Sequence, residues 1–174
     1  IYDNNMPKTN TLVKICGLTS EEQALQVAKL GANAIGIISV EASPRYVSSE
    51  KKKKIFKKLE SFYPKIERVS VVQNCSIDSI IKNFLGNPSE TIIQLHGDED
   101  IDYCKKLKEK IPNIGIWKAF RIKTEKDLNT IKYYQDFVDA ILLDSWNEET
   151  YGGSGEKIKS IYLKNLQFNK PWWL

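Results

Sequence analysis

The chain contains little histidine and little cysteine: one His, His96, and three Cys among 174 residues. A single histidine excludes a metal site built from clustered histidines. The cysteines, Cys16, Cys75 and Cys104, are odd in number and far apart in sequence. That pattern is typical of free thiols in a reducing cytosol rather than of a disulfide framework. We therefore expect a cytoplasmic protein without a metal centre, in which Cys75 and Cys104 are structural.

Long apolar runs are also lacking, since none approaches the roughly 18 residues that a membrane-spanning helix needs. Residues 1–11 lack the apolar core of a signal peptide and predict a polar N-terminal extension. The chain begins with Ile rather than Met and stops within a Pro-Trp-Trp-Leu stretch. We expect one domain over residues 1–174 that is incomplete at its C-terminus.

Two nucleotide-binding motifs are missing. Gly17 follows the first apolar run alone, without the remaining glycines of G-x-G-x-x-G, and the glycine-rich residues 152–155 lack the Lys-Ser/Thr of a P-loop. The net charge of +4 is mild, and the lysine run at 51–54 predicts the solvated face of a helix rather than a nucleic-acid site. We expect no nucleic-acid and no membrane partner.

Short β-rich apolar runs alternate with amphipathic helical patterns along the whole chain, which is typical of a parallel sheet built from βα units. The repeat length predicts a (β/α)8 TIM barrel, truncated after about six βα units and the start of strand seven. An open doubly wound sheet has the same rhythm and remains the structural alternative. The predicted strands cover about residues 12–15, 34–38, 68–72, 91–95, 114–120, 140–143 and 171–174.

Cys16 lies where the first strand gives way to a turn. Gly17 suits a sharp exit from the strand, and Thr19 with Glu22 fits a capping box that would begin a helix. A thiol close to a helix N-terminus is favoured as the reactive thiolate. Free cysteines are also among the most buried residues, so a plain core position is an equal alternative from the sequence alone.

Seven segments together resemble the phosphoribosylanthranilate isomerase family of tryptophan biosynthesis. Each segment alone is a weak signal, but the ordered set over about residues 12–155 is specific. The segments are VKICGLT (13–19), GANAIG (31–36), SPRYVS (43–48), IQLHGDE (93–99), KAFR (118–121), ILLD (141–144) and GGSG (152–155).

The resemblance implies an Amadori rearrangement of N-(5-phosphoribosyl)anthranilate to its 1-deoxyribulose isomer, without metal or redox cofactor. It implies Asp144 as the general acid, Cys16 as the general base, and Arg45 as the group that binds the anthranilate carboxylate. Gly153 and His96 are further candidates for substrate contact, although a structural hydrogen bond is the simpler interpretation of His96. The partner would be a small phosphorylated substrate, and the protein a monomer or homodimer.

Several positions depart from the family pattern. Ser39 stands where the family usually carries an aromatic residue, and the segments after strands seven and eight, which hold the substrate phosphate in the family, are not in the chain. Two other functions therefore stay open. One is another sugar-phosphate barrel enzyme, such as an indole-glycerol-phosphate-like lyase; the other is a non-catalytic partial barrel that self-associates through its open sheet edges.

Overall fold

A computed structural model describes residues 11–145, 158, 160–163 and 166–174. Parallel strands alternate with helices along the chain. The strands are β1 (Lys14–Cys16), β2 (Ala34–Ile38), β3 (Glu67–Val72), β4 (Ile92–Leu95), β5 (Gly115–Ile122), β6 (Ala140–Ser145) and β7 (Trp172–Trp173). The helices are α1 (Glu21–Lys29), α2 (Ser49–Phe62), α3 (Ile77–Leu85), α4 (Ile101–Lys110), α5 (Glu125–Ile131) and α6 (Ser160–Leu163).

The strand order decides between the two architectures that the sequence allowed. All seven strands form one sheet in the order β1-β2-β3-β4-β5-β6-β7, and every neighbouring pair is parallel. A doubly wound sheet reverses its strand order at a switch point, whereas a barrel adds strands in sequence. The observed order is that of a (β/α) barrel and confirms the expected fold class.

The sheet is covered on both faces by apolar side chains, which explains why a strand such as β2 is buried at each of its five positions. Between sheet and helices lie two clusters, one around Phe56 and Leu59 and one around Leu107 and Ile131. The opposite face carries a third cluster, in which the Trp117 and Trp173 rings lie 5.0 Å apart. The sheet is therefore curled around its own interior.

The first helix begins one residue later than the sequence predicted. Ser20, not Thr19, is the N-cap, and its Oγ accepts a hydrogen bond from the Gln23 amide at 3.2 Å. The Gln23 side chain reaches back to accept the Thr19 N–H at 2.9 Å. Gln23 rather than Glu22 thus reaches back over the helix start, to the residue before the N-cap, and the turn between Cys16 and α1 is longer by one residue.

One of the four lysines predicted to form a solvated face is buried. Lys52 is 3% exposed and its Nζ lies 3.3 Å from Glu90 Oε2 and 2.7 Å from Ser70 Oγ. It shares the inward face of α2 with Ile55, Phe56 and Leu59, at the spacing of successive helical turns. Burial raises the pKa of Glu90, and the nearby Lys52 charge opposes that shift.

Replacing Lys52 with Met should lower the free energy of unfolding by about 3–5 kcal/mol, because a buried carboxylate is left without its cation. Since the folded state holds the Glu90 proton more tightly, the loss should be smallest below pH 4.5 and grow as the pH rises. Urea titrations at several pH values measure it. The double variant Lys52→Met/Glu90→Gln should recover most of the loss, and Lys53→Met, at an exposed position, should change little. Equal stability of the Lys52 and Lys53 variants would contradict this interpretation.

Candidate active site

A cavity of about 1480 Å³ opens at the carboxyl ends of the strands. In barrels this is the edge where active sites are built. Its lining includes Cys16 at the end of β1, Arg45 from the loop after β2, His96 beyond β4 and Asp144 on β6. The cavity continues along the gap between β1 and β7, where Leu12, Val13, Trp172 and Leu174 expose apolar side chains. Four of the five predicted site residues thus line one cavity.

Glycine on the neighbouring strand makes the space for the Cys16 thiol. Cys16 and Gly36 are register partners in β1 and β2, and a Cβ added to Gly36 would lie 2.6 Å from Cys16 Sγ. The same Cβ would lie 3.3 Å from Lys14 Nζ, so the thiol and an ammonium both converge on Gly36. Cys16 is half-buried. It therefore lines the cavity, and it also packs against the apolar cluster that contains Ala34 and Val69.

Gly17 positions Arg45. Its φ of 86° lies in the left-handed region that favours glycine, and its N–H donates to the Gly36 carbonyl at 2.8 Å. A Cβ at this position would lie 2.5 Å from Arg45 Nη1. The Arg45 side chain instead packs against the Gly17 backbone, and its Nη1 lies 3.5 Å from the Cys16 carbonyl oxygen. The glycine that follows β1 thus lets the cation lie beside the Cys16 backbone.

His96 lies directly against Asp144. The His96 Nε2 atom is 3.1 Å from Asp144 Oδ2, and the two side chains are 14% and 19% exposed. The other carboxylate oxygen of Asp144 accepts the Ser145 N–H at 2.9 Å. On the far side of the ring, Gln94 Nε2 lies 2.9 Å from His96 Nδ1. Gln94 was not predicted as a site residue, although its spacing of two from His96 places both side chains on one side of the extended chain.

A buried ion pair, also missed from the sequence, fixes the loop that follows His96. Lys118 Nζ donates to the Gly97 carbonyl at 2.8 Å and lies 3.2 Å from Glu99 Oε2. Glu99 in turn accepts the Gly97 and Asn74 N–H groups at 2.9 and 2.7 Å. Burial lowers the pKa of Lys118, and the Glu99 carboxylate opposes that shift. These contacts join β5 to the loops after β3 and β4 just behind the histidine.

The remaining predicted residues lie away from the cavity or outside the described residues. Gly153 belongs to residues 146–157, which are not described. Cys104 is fully buried, and its burial raises the pKa of the thiol to about 12, in line with a structural role. Among the described residues, no group of three or more His, Cys, Asp or Glu side chains is arranged to hold a metal ion. None of the described helices combines the length and apolarity needed to cross a membrane.

The chain matches known proteins along most of its length. The family model for N-(5'phosphoribosyl)anthranilate (PRA) isomerase matches residues 13–172. An N-(5'-phosphoribosyl)anthranilate isomerase of Crocosphaera subtropica is 39% identical over 162 residues, which are 93% of this chain and 75% of that protein. That of Trichodesmium erythraeum is 37% identical over 163 residues, 93% of this chain and 69% of that protein.

Solved structures give the same result. The phosphoribosyl anthranilate isomerase of Thermus thermophilus superposes with a TM-score of 0.74 at 27% identity, covering 88% of this chain and 70% of that one. A phosphoribosyl anthranilate isomerase in complex with reduced 1-(o-carboxyphenylamino)-1-deoxyribulose 5-phosphate superposes with a TM-score of 0.69 at 33% identity. The match covers 79% of this chain and 66% of that one. The match over residues 13–172 and the identity to curated relatives confirm what the seven sequence segments indicated: the chain belongs to the N-(5'-phosphoribosyl)anthranilate isomerase family.

Proposed function

We propose that this chain catalyses the Amadori rearrangement of N-(5-phosphoribosyl)anthranilate in tryptophan biosynthesis, with Asp144 as the acid and Cys16 as the base. One observation carries the proposal: a thiol and a carboxylate from β1 and β6 line a single cavity at the strand ends of a chain that matches the isomerase family over residues 13–172. An isomerisation of this kind needs an acid and a base acting on one substrate.

The first step opens the ribose ring. Asp144 donates its proton to the ring oxygen as the bond between that oxygen and C1 breaks. The lone pair of the anthranilate nitrogen forms the new C1=N bond, so the product is an open-chain protonated Schiff base. Asp144 is left as a carboxylate, which accepts the Ser145 N–H at one oxygen and faces His96 Nε2 at the other.

The second step moves the double bond. The Cys16 thiolate removes the proton from C2, and the released electron pair forms C1=C2 while the C1=N electrons return to nitrogen. The enol then gives its hydroxyl proton to the Asp144 carboxylate and takes a proton at C1 from the Cys16 thiol, which gives the ketone of the 1-deoxyribulose product and restores the acid and the base. No electron is lost from or added to the substrate, so the base and the acid account for the reaction.

Arg45 supplies the recognition of the anthranilate carboxylate. A guanidinium can bind a carboxylate through two parallel hydrogen bonds, which an ammonium cannot do. Arg45 is held beside the Cys16 carbonyl and lines the same cavity, so a carboxylate bound there lies next to the base. The ligand of the related isomerase complex carries a carboxyphenyl group and a phosphate, in line with this assignment.

Arg45→Lys tests the substrate assignment. The variant should turn over N-(5-phosphoribosyl)anthranilate with kcat/KM reduced roughly 10- to 150-fold, the equivalent of about 1.5–3 kcal/mol for a hydrogen bond to a charged group. The matched control is N-(5-phosphoribosyl)aniline, which lacks the carboxylate and should be converted equally by both proteins. Steady-state kinetics with the two substrates measure the difference. An equal loss of kcat/KM on both substrates would show that Arg45 does not recognise the carboxylate. If the unmodified chain does not turn over N-(5-phosphoribosyl)anthranilate, the proposed function itself is wrong.

A further inference from the structure

We propose that the buried Glu99–Lys118 pair positions the acid of the proposed reaction: it fixes the main chain that follows His96, and so the ring that lies against Asp144. The inference rests on the proposed function in taking Asp144 as the acid. Glu99 and Lys118 are positioning residues, because they hold a loop from behind the cavity and are not among the described residues that line it.

The Lys118 ammonium uses all of its donors on the loop and on its own strand. The Lys118 and Glu99 side chains are 4% and 1% exposed. The Nζ atom donates to the Gly97 carbonyl at 2.8 Å, to the Ala119 carbonyl at 3.0 Å and to Glu99 Oε2 at 3.2 Å. An ammonium has three donors, so each of them has an acceptor inside the protein.

The Glu99 carboxylate binds the backbone of two loops at once. Its Oε1 accepts the Asn74 N–H at 2.7 Å, and its Oε2 accepts the Gly97 N–H at 2.9 Å. Asn74, in the loop after β3, has a φ of 49°, and its Oδ1 accepts the Asp98 N–H at 2.7 Å. The loops after β3 and β4 are therefore bound to each other through one buried carboxylate and one asparagine.

These contacts fix the main chain on both sides of His96. The His96 N–H donates to the Val72 carbonyl at 2.9 Å, while the N–H and the carbonyl of the next residue, Gly97, are both held by the buried pair. The His96 Nε2 atom lies 3.1 Å from Asp144 Oδ2. A shift of the turn at Gly97 therefore moves the ring that holds the Asp144 carboxyl in place.

Stability alone does not require an ion pair at this position. Lys118 Nζ lies 5.4 Å from the centre of the Phe120 ring, and burial lowers the pKa of the lysine, which shows that its surroundings are apolar. Apolar side chains of similar size often replace a buried ion pair without loss of stability. They cannot accept from two N–H groups or donate to two carbonyls, however, and those four bonds set the position of the turn.

The first test is Glu99→Gln. The amide keeps the shape of the carboxylate but has one acceptor oxygen for two N–H groups, so the turn must move. We expect kcat to fall roughly 10- to 100-fold, the effect of displacing a catalytic group by about 1 Å. KM should stay within a few-fold of the unmodified value, because Arg45 lies in the loop after β2. Steady-state kinetics measure both constants.

Two further variants separate positioning from stability. Glu99→Gln/Lys118→Met removes both buried charges, so its urea midpoint should rise above that of Glu99→Gln while kcat stays low. Asp139→Asn is the matched control, because this carboxylate also accepts an N–H, that of Ile116 at 2.8 Å, and pairs with Lys108 at 2.6 Å, but at the amino ends of the strands. Its kcat should be nearly unchanged. If kcat recovers with the urea midpoint in the double variant, the pair only stabilises the fold and the inference is wrong.

The position of His96 can be followed without turnover, because it is the only histidine in the chain. In protein labelled with 13C-histidine, it gives a single ring Cε1–H cross-peak. At one fixed pH, this peak should move in the Glu99→Gln protein and stay in place in the Asp139→Asn protein. An unmoved peak in Glu99→Gln would overturn the inference. The readout needs no substrate, so its result is separate from the test of the proposed reaction.

Gly97→Ala moves the same turn with both charges in place, and it serves if the Glu99 variants do not fold. A Cβ at Gly97 would overlap the Asn74 side chain and lie 2.9 Å from the Asn74 nitrogen, so the backbone must give way. The kcat of this variant should fall and its His96 cross-peak should move. If either is unchanged, the turn does not position the ring and the inference is overturned.

Discussion

Replacing Cys16 with Ser should lower kcat by about 10²- to 10⁴-fold, the contribution usually made by a positioned general base. The serine hydroxyl fits the space beside Gly36, but at neutral pH it is a far weaker base than a thiolate. KM should change little, because Arg45 contacts the backbone carbonyl of residue 16 and not its side chain. Steady-state kinetics of the two proteins measure both constants.

Cys75→Ser is the matched control for this substitution. Cys75 is also a half-buried free thiol, but its Sγ lies 3.5 Å from the Gln73 carbonyl oxygen and it is not part of the cavity lining. Its replacement should leave kcat nearly unchanged. If the Cys16→Ser protein has the same kcat as the Cys75→Ser protein, the Cys16 thiol is not the general base. That result would then favour a sugar-phosphate barrel chemistry based on paired carboxylates or a lysine–glutamate pair.

The fold was predictable because strand burial leaves a strong local signal. Residues 34–38 were predicted as a strand and form β2 with the same bounds. The fifth and sixth strands extend two residues further than predicted, to Ile122 and Ser145. Arg121 and Asp144 lie in those extensions as register partners, and charged residues at strand ends carry no β-rich apolar pattern.

The residues that carry the proposed chemistry were predictable from the sequence, but the contacts that hold them in place were not. Cys16 and Asp144 follow apolar runs, and parallel strands bring such ends to one edge. The contact between His96 and Asp144 joins residues 48 apart and depends on the curl of the sheet. The Lys118–Glu99 pair had no local signal either, because an alternating strand allows a lysine on either face. Lys52 is different: it was wrongly predicted to lie on a solvated face, although it has the helical spacing of the inward residues Ile55, Phe56 and Leu59.

Replacing Asp144 with Asn should lower kcat by about 10²- to 10⁴-fold, because the amide has the shape of the carboxyl group but no proton to give to the ring oxygen. Steady-state kinetics should show KM within a few-fold of the unmodified value, since Arg45 is unchanged and the amide keeps the shape of the cavity wall at residue 144. Asp98→Asn is the control: it removes a carboxylate at the same rim, one that is 69% exposed and pairs with Arg121. An exposed ion pair contributes about 0–1 kcal/mol, so this variant should stay active. Equal losses in the two variants would mean that the rim needs negative charge and not an acid. A large loss for Asp144→Asn alone, with KM preserved, separates proton donation from substrate binding.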